Sequence, residues 1–418
     1  MSSGKVYVIG AGLSGLAAGV ALASRGARVV LIEGAGQAGG RCRSYVDPVL
    51  NQTIDNGNHL ILSGNHATFG YLRTIGAADR LAGPEHAGFP FVDVRTGARW
   101  TLSPNDGAIP WWVLSSKRRV PGTSILEYLA MAKLLAASGA QRIDAVIACQ
   151  GNFWERLLRP LLLAALNTEP EAASASLAAV VLRETLLKGG RAYRPRISAP
   201  HLGSTFIDPA LDYLKRQGAE VRFGSRLRGI QSANNCATAL DIANGSIELG
   251  PDDRVVLATP AWVATELLPA VLAPADFRSI VNAHFAVTPP PNAPMMIGIV
   301  GGVAEWVFAF ADRICVTVSN ADAIVDRARE ELARTLWCDV VAAHGLAAEL
   351  PPWQIVKERR ATFAATPEQA KRRAKAKTRW SNLFLAGDWT DTGLPATIEG
   401  AIRSGNHAAE LALRSLAQ

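Results

Sequence analysis

Near its N-terminus the chain reads Lys5-Val-Tyr-Val-Ile-Gly10-Ala-Gly12-Leu-Ser-Gly15, and no other stretch restricts the fold as strongly. Residues 6–9 are a short apolar run, the pattern of a buried parallel strand. The glycines follow where a backbone must turn tightly, approach a pyrophosphate and let a helix pack closely. Small and apolar residues continue over 13–23, as in a helix lying on a sheet. The unpaired N–H groups and dipole at its N-terminus favour an anion. A second apolar run, Val29-Val-Leu-Ile, ends in Glu33, placed to accept from ribose hydroxyls and to disfavour a 2′-phosphate. In a chain with 37 glycines a tight turn without a ligand is the bland alternative. Strand, turn, helix and acid occurring together argue against it. Gly39-Gly40-Arg41 narrows the dinucleotide to FAD, because a second glycine turn carrying a guanidinium can reach the same pyrophosphate. The cofactor-binding candidates here are Gly10, Gly12, Leu13, Ser14, Gly15, Glu33, Gly39, Gly40 and Arg41.

The C-terminus supplies the matching half. Asn382-Leu-Phe-Leu-Ala386-Gly387-Asp388-Trp389-Thr390 is a short apolar strand ending in Gly-Asp, with Asp388 placed for a ribityl chain. Thr397 and Ile398 lead into a helix predicted from Gly400 onward, whose amides would support negative charge at the edge of a reduced flavin ring. An ordinary strand-turn-helix closing the sheet is the alternative.

Both ends resemble the superfamily of amine oxidases, protoporphyrinogen oxidases and phytoene desaturases. Four stretches are similar to its squalene-associated desaturase-like branch, the bacterial hydroxysqualene dehydroxylases. They are Asp55-Asn-Gly-Asn-His59, Phe153-Trp-Glu-Arg-Leu with Leu163-Ala-Ala-Leu-Asn167-Thr168, Phe206-Ile-Asp-Pro-Ala-Leu, and Ala386-Gly-Asp-Trp-Thr-Asp-Thr-Gly-Leu-Pro-Ala-Thr-Ile-Glu-Gly-Ala. The chain departs from the branch at Asn58, where the pattern has glutamine. The resemblance spans the whole chain and implies reduction of hydroxysqualene to squalene in hopanoid or related triterpene biosynthesis. Its implied chemistry is hydride delivery from N5 of reduced flavin to an allylic cation, after an acid has helped the hydroxyl to leave. Candidate acids are Asp55, His59, Asp391 and Glu399, with loop-holding through backbone hydrogen bonds as the competing role for Asp55 and Glu399. In relatives, a strand after a Gly-Ala-x-Val run contacts adenine, which falls near Leu227 here. The implied substrate is an apolar C30 isoprenoid, and NAD(P)H or a separate reductase would reduce the flavin.

The expected fold is α/β: a Rossmann-like FAD-binding domain with a parallel sheet, interrupted by an α+β substrate domain with a helical cap. The FAD-binding domain is placed at 1–72, 203–275 and 371–418, the substrate domain at 73–202 and 276–370. At 418 residues and 49% apolar composition the chain can bury such a core. Residues 89–94 and 95–102 read as a hairpin with a Thr-Gly turn. Residues 124–187 read as helical, with Ile125, Leu129, Ala132 and Leu135 on one face, and Pro160 marking a helix start or kink. Residues 218–224, 226–230 and 254–260 read as a return to the nucleotide sheet. Strands at 295–300 and 306–318 would floor the substrate cavity, and Gly298-Ile-Val-Gly301-Gly302 reads as part of a strand pair.

Five cysteines without close pairing fit reduced thiols, and none lies in a flavin motif, so FAD is expected to be noncovalent. Seven histidines show no metal spacing. No apolar run approaches the ~20 residues of a bilayer helix, and no cleavable leader is evident, so a cytoplasmic protein is expected. The net charge of +7 concentrates in Lys371, Arg372, Arg373, Lys375, Lys377 and Arg379, read as a solvated helix face, and in Lys117-Arg118-Arg119 after Trp111-Trp112. Peripheral docking on anionic membrane stays open, whereas nucleic acid lacks any recognition motif. Two rivals remain: a polyene or carotenoid desaturase using oxidised FAD, and a non-enzymatic isoprenoid carrier. Retention of the pyrophosphate and ribityl residues argues against the carrier.

Overall fold

The computed structural model describes residues 4–137 and 140–416. Five parallel strands form the nucleotide sheet, in the spatial order Glu220–Arg222, Arg28–Ile32, Lys5–Ile9, Arg254–Leu257 and Leu383–Leu385. Strands covered on both faces need continuous apolar runs, which Val6-Tyr-Val-Ile9 and Val29-Val-Leu-Ile32 supply. On one face lie the helices Leu13–Ala23 and Ile398–Leu416, whose Leu16, Ala17, Val20, Ile402 and Ala409 pack on Val6, Val8, Leu31 and Val256. These helices approach so closely that a Cβ on Gly405 would stand 2.1 Å from the carbonyl oxygen of Ser14.

The other face carries a three-stranded antiparallel hairpin unit, Leu227–Ala233, Cys236–Ile242 and Gly245–Glu248. Here the sequence expectation needs correcting. Residues 220–222 and 254–257 do rejoin the nucleotide sheet, but 226–230 do not. Leu227 is buried while Arg228, Gln231 and Ser232 are exposed, and the strand pairs with Cys236–Ile242 instead.

A seven-stranded sheet makes the second layer, in the order Trp353–Phe363, Phe277–Phe285, Ile314–Val318, Trp306–Ala309, Met296–Val300, Phe89–Asp93 and Arg99–Leu102. It is antiparallel except where Met296–Val300 runs parallel to Phe89–Asp93. Its strands obey a period of two. Val92, Ile297, Ile299, Val307 and Val316 meet the helix Arg329–His344, while Phe91, Trp306, Phe308 and Cys315 face the body of the molecule. The predicted hairpin at 89–102 is present, and Gly298 lies in a strand beneath the Phe91 ring. The α/β class with a Rossmann-like parallel sheet, an α+β part and a helical cap is therefore observed.

The cap consists of short helices, among them Ile125–Tyr128, Leu129–Ala136, Arg159–Leu166 and Ala175–Glu184. Pro160 sits in the first turn of Arg159–Leu166, after a π-turn at Trp154–Leu158. The predicted face of Ile125, Leu129, Ala132 and Leu135 is wrong. Ile125, Leu129 and Ala132 are exposed, whereas Tyr128, Met131 and Leu134 are buried. Residues 125–128 form a 3₁₀ turn ahead of the α-helix Leu129–Ala136, so no single 3.6-residue period runs from Ile125 to Leu135.

The basic run is also not a helix face. The helix Pro367–Lys371 ends before most of it, and Arg373 is buried.

Substituting Gly405→Val should lower unfolding free energy by about 1–3 kcal/mol, because the branched side chain must push two helices apart. Denaturant midpoints equal to the parent's would show that the helices can separate without cost.

Candidate active site

The two glycine turns lie together at the carboxyl ends of the parallel strands, where open α/β sheets bind ligands. Gly10, at φ +104°, hands the chain from its strand into the turn, and its N–H donates to the Ile32 carbonyl at 2.7 Å. The helix Leu13–Ala23 begins at Gly12 without a side-chain cap and without an acid in its first turn. Its unneutralised N-terminus therefore favours an anion. A Cβ built on Gly12 would meet nothing within 4 Å, so open space adjoins those amides. Gly39 pairs with Gly12 and donates to the Ala11 carbonyl at 2.8 Å, bringing the second turn onto the first. This cradle, anion-seeking and free of side chains, fits a dinucleotide pyrophosphate.

Glu33 Oε2 accepts from the Ala11 N–H at 2.7 Å and Oε1 from the Ala35 N–H at 2.8 Å. Ser225 donates its N–H to the Glu33 carbonyl at 2.9 Å, and Arg226 passes against Gly34, so Leu227 follows directly beyond the end of this strand. At the far side, Arg41 Nη2 meets Asp388 Oδ1 at 2.7 Å, and Nη1 donates to the Ala361 carbonyl. Leu13 and Ser14 occupy the first turn of the helix, and Gly387 donates its N–H to Ser404 Oγ at 2.9 Å. The last helix starts at Ile398, two residues before the predicted Gly400. The Gly400 N–H is taken by Thr397 Oγ1 at 3.0 Å.

Arg373 is the residue that sequence reading assigned to solvent. It donates to the carbonyls of Asp388 at 3.2 Å and Trp389 at 3.4 Å, to that of Thr390, and to Thr392 Oγ1 at 3.1 Å. Burial pushes its pKa down to about 10, with Asp391 and Asp388 opposing the shift. The guanidinium thus fixes the Gly-Asp turn from behind. A basic run gives no local hint that one member points inward, because its partners lie in the following turn.

The four candidate acids divide into two pairs. Glu399 is buried, accepting from the N–H groups of Ala67 and Thr68, from Thr68 Oγ1 and from Arg403 Nε. Those bonds close the N-terminus of the helix His66–Ile75 and leave Glu399 little capacity for a substrate. Asp55 accepts from Ser44 Oγ and from the Leu202 N–H at 2.9 Å, with Arg313 Nη2 at 4.0 Å. Burial raises its pKa against those bonds. His59, by contrast, has no hydrogen-bond partner among the described residues. Its pKa is pushed down to about 4, first by desolvation and then by the charge of Arg41, so the imidazole is neutral at pH 7. Asp391 is exposed, and its side chain has no hydrogen-bond partner among the described residues. Asn58 donates to Thr317 Oγ1 at 3.2 Å while its buried Oδ1 lacks a partner.

The branch motif at Leu166-Asn167-Thr168 fastens the cap to the large sheet. Asn167 adopts φ +46°, donates to Thr362 Oγ1 at 2.9 Å and accepts from the Asn320 N–H at 2.6 Å, while Thr168 Oγ1 accepts from Ala365.

The sequence pattern of the flavin containing amine oxidoreductases matches residues 13–413. A hydroxysqualene dehydroxylase of Rhodopseudomonas palustris is 52% identical over 409 residues, covering 98% of each chain. The chain belongs to the flavin-containing amine oxidoreductase family, in the hydroxysqualene dehydroxylase branch. The 15-cis-phytoene desaturase of Narcissus pseudonarcissus is a more distant relative, 22% identical over 97% of this chain and 79% of its own. Cyclohexylamine oxidase from Brevibacterium oxydans has the same fold, with a TM-score of 0.74 at 16% identity over the full length of both chains. The family's cofactor is a flavin.

Replacing Arg373 by Met should cost about 1–3 kcal/mol for the carbonyls left unpaired and should release flavin more readily. Arg373→Lys should restore part of both; a Met variant with parental melting and flavin content would refute the clamp.

The His59 shift also makes a signed prediction. An unfolded histidine titrates near 6.5, so between pH 6.5 and 4 the unfolded chain takes a proton that the fold refuses, and stability falls as pH drops. Glu305, pushed up to about 7 by burial, works in the opposite sense, so the histidine is isolated by difference. Relative to parent, His59→Gln should gain about 2 kcal/mol on going from pH 7 to pH 5, read from denaturation curves at both values.

Proposed function

We propose that the protein binds FAD noncovalently and reduces hydroxysqualene to squalene; its 52%-identical relative is named a hydroxysqualene dehydroxylase. That full-length identity carries the reading, and the features of the cradle support it. Gly10, Gly12, Leu13, Ser14, Gly15, Gly39, Gly40 and Arg41 would hold the pyrophosphate, Glu33 the ribose and Leu227 the adenine. Gly387, Asp388, Thr397 and Ile398 would hold the ribityl chain and ring edge. Reduced flavin, when bound, supplies the hydride equivalent that replaces the hydroxyl.

The chain's own part is to help the hydroxyl leave. The allylic C–O bond breaks, the oxygen departs as water after gaining a proton, and the carbon gains hydride. His59 is the proposed donor to that oxygen. Its neutral imidazole offers an N–H, and no described residue competes for it. Once protonated, a group with pKa near 4 is also a stronger acid than an ordinary histidine. Asp391 is the second candidate. Asp55 and Glu399 are proposed to position loops. NAD(P)H is the proposed source of electrons, and an apolar C30 substrate implies peripheral contact with an anionic membrane surface.

Anaerobic photoreduced protein mixed with hydroxysqualene should reoxidise in step with squalene formation, followed by flavin absorbance and mass spectrometry. Inert reduced protein, with the oxidised form desaturating a polyene, would move the assignment to a desaturase. His59→Ala should retain flavin but slow single-turnover reoxidation ~10²-fold or more. Unchanged rates for His59→Ala and Asp391→Asn would exclude both donors.

A further inference from the structure

Among the described residues ten large apolar side chains stand exposed, and six of them fall between residues 109 and 129. Ile109, Trp111, Leu114, Ile125, Leu126 and Leu129 are 44–79% exposed, and the other four are Val46, Val49, Phe223 and Leu272. Trp111 and Leu114 lie on a short helix that contacts the one carrying Ile125 and Leu126. Trp112 and Tyr128 meet edge to face at 5.5 Å, and the Tyr128 hydroxyl accepts from the Val120 N–H at 3.1 Å. The short helices Trp111–Leu114 and Ile125–Tyr128 are thereby held side by side, with their neighbouring apolar residues turned out.

Within the stretch 107–137 the charge is mostly positive. From 107 to 137 the chain carries Lys117, Arg118, Arg119 and Lys133 against a single carboxylate, Glu127, which accepts from the Ser124 N–H. None of the four cations has an ion-pair partner among the described residues, and the Arg118 guanidinium lies 4.7 Å from the Trp111 ring centre. A water-soluble protein partner would need both apolar contact and clustered acids, whereas an anionic bilayer offers headgroup charge and hydrocarbon together. Tryptophan beside arginine is suited to that boundary. No described helix is long and apolar enough to cross a membrane.

We propose that this outer face of the cap is a docking surface for anionic phospholipid bilayer, with Trp111, Leu114, Leu126 and Leu129 entering the headgroup boundary and Lys117, Arg118 and Lys133 meeting phosphates. The inference rests on the membrane contact proposed above and not on the identity of the substrate. The rival contact is the basic run at 371–379, where Arg373 is spent on backbone carbonyls while Lys371, Lys375, Lys377 and Arg379 are exposed.

Sedimentation of the flavin-loaded protein with phosphatidylglycerol vesicles, and with phosphatidylcholine vesicles as neutral control, tests this directly. The parent should pellet with the anionic vesicles and less with the neutral ones. Trp111→Ser with Leu126→Ser and Leu129→Ser should weaken pelleting, and Lys117→Glu with Arg118→Glu should weaken it about tenfold or more at low salt. All five positions lie on the surface, and parental circular dichroism and flavin spectra would confirm folding. A parent that ignores anionic vesicles overturns the membrane contact itself. Variants that pellet like the parent, or loss of binding only in Lys375→Glu with Lys377→Glu, overturn this surface alone. A dimer of the parent that the serine variant dissociates, without vesicle binding, would assign the face to a second copy instead.

Discussion

Arg41 and Asp388 stand 347 positions apart in sequence, and their 2.7 Å contact joins the two ends of the chain at the point where the dinucleotide would lie. Each residue leaves a glycine turn that follows a strand of the same parallel sheet. The first strand occupies the middle of that sheet and the last its edge, with Arg254–Leu257 between them. The pair can form only when the intervening chain has returned strands to both sides of the first. Asp388 is largely shielded and Arg41 less so, which strengthens the attraction over that of a surface pair. The guanidinium also donates to the Ala361 carbonyl, so the outer strand of the large sheet is tied to the same point. Cradle, large sheet and last helix therefore share one reference position.

Around that point, buried charge is used mainly to hold backbone. Arg373 binds the carbonyls of the Gly-Asp turn, Glu399 the amides of a helix start, and Asp55 an amide and a hydroxyl from separate segments. An ion in the interior is costly, and each of these recovers the cost through several bonds instead of one. Loops held this way need no apolar side chains, which leaves room at the carboxyl end of the sheet. His59 and the Asn58 carbonyl oxygen are polar groups left over from this arrangement. A group without a protein partner beside a cofactor cradle has capacity for a ligand.

The nucleotide half of the fold was legible because its signals are local. Strand, glycine turn, helix and terminal acid all lie within residues 5–33, and each follows from spacing alone. The cap was harder because its helices are short and change period. Reading Ile125 and Leu129 at 3.6 residues per turn placed them inside, but a 3₁₀ turn at 125–128 interrupts that period before the helix Leu129–Ala136 begins, and both side chains are exposed. The strand at 227–233 was misassigned for a different reason. Apolar alternation establishes a strand but not its sheet, and Leu227–Ala233 found its partner in the hairpin that follows it. Arg373 could not be found from its neighbours in sequence, since six cations in nine residues resemble a solvated stripe whichever one is buried.

The fold shared with an amine oxidase at 16% identity means that the cradle and sheet order do not choose the substrate. The choice falls to what is placed over the flavin, namely the cap and its seat on the large sheet. Asn167 and Thr168 matter in that respect although they need not touch a substrate. Asn167 ends a cap helix in a left-handed conformation and spends its amide on Thr362 and on the Asn320 N–H, while Thr168 holds Ala365 just beyond the same outer strand. A Leu at either place would leave buried N–H groups unpaired, and the cap could then settle at more than one height. The wording of that motif is thus explained by where it fixes the cap.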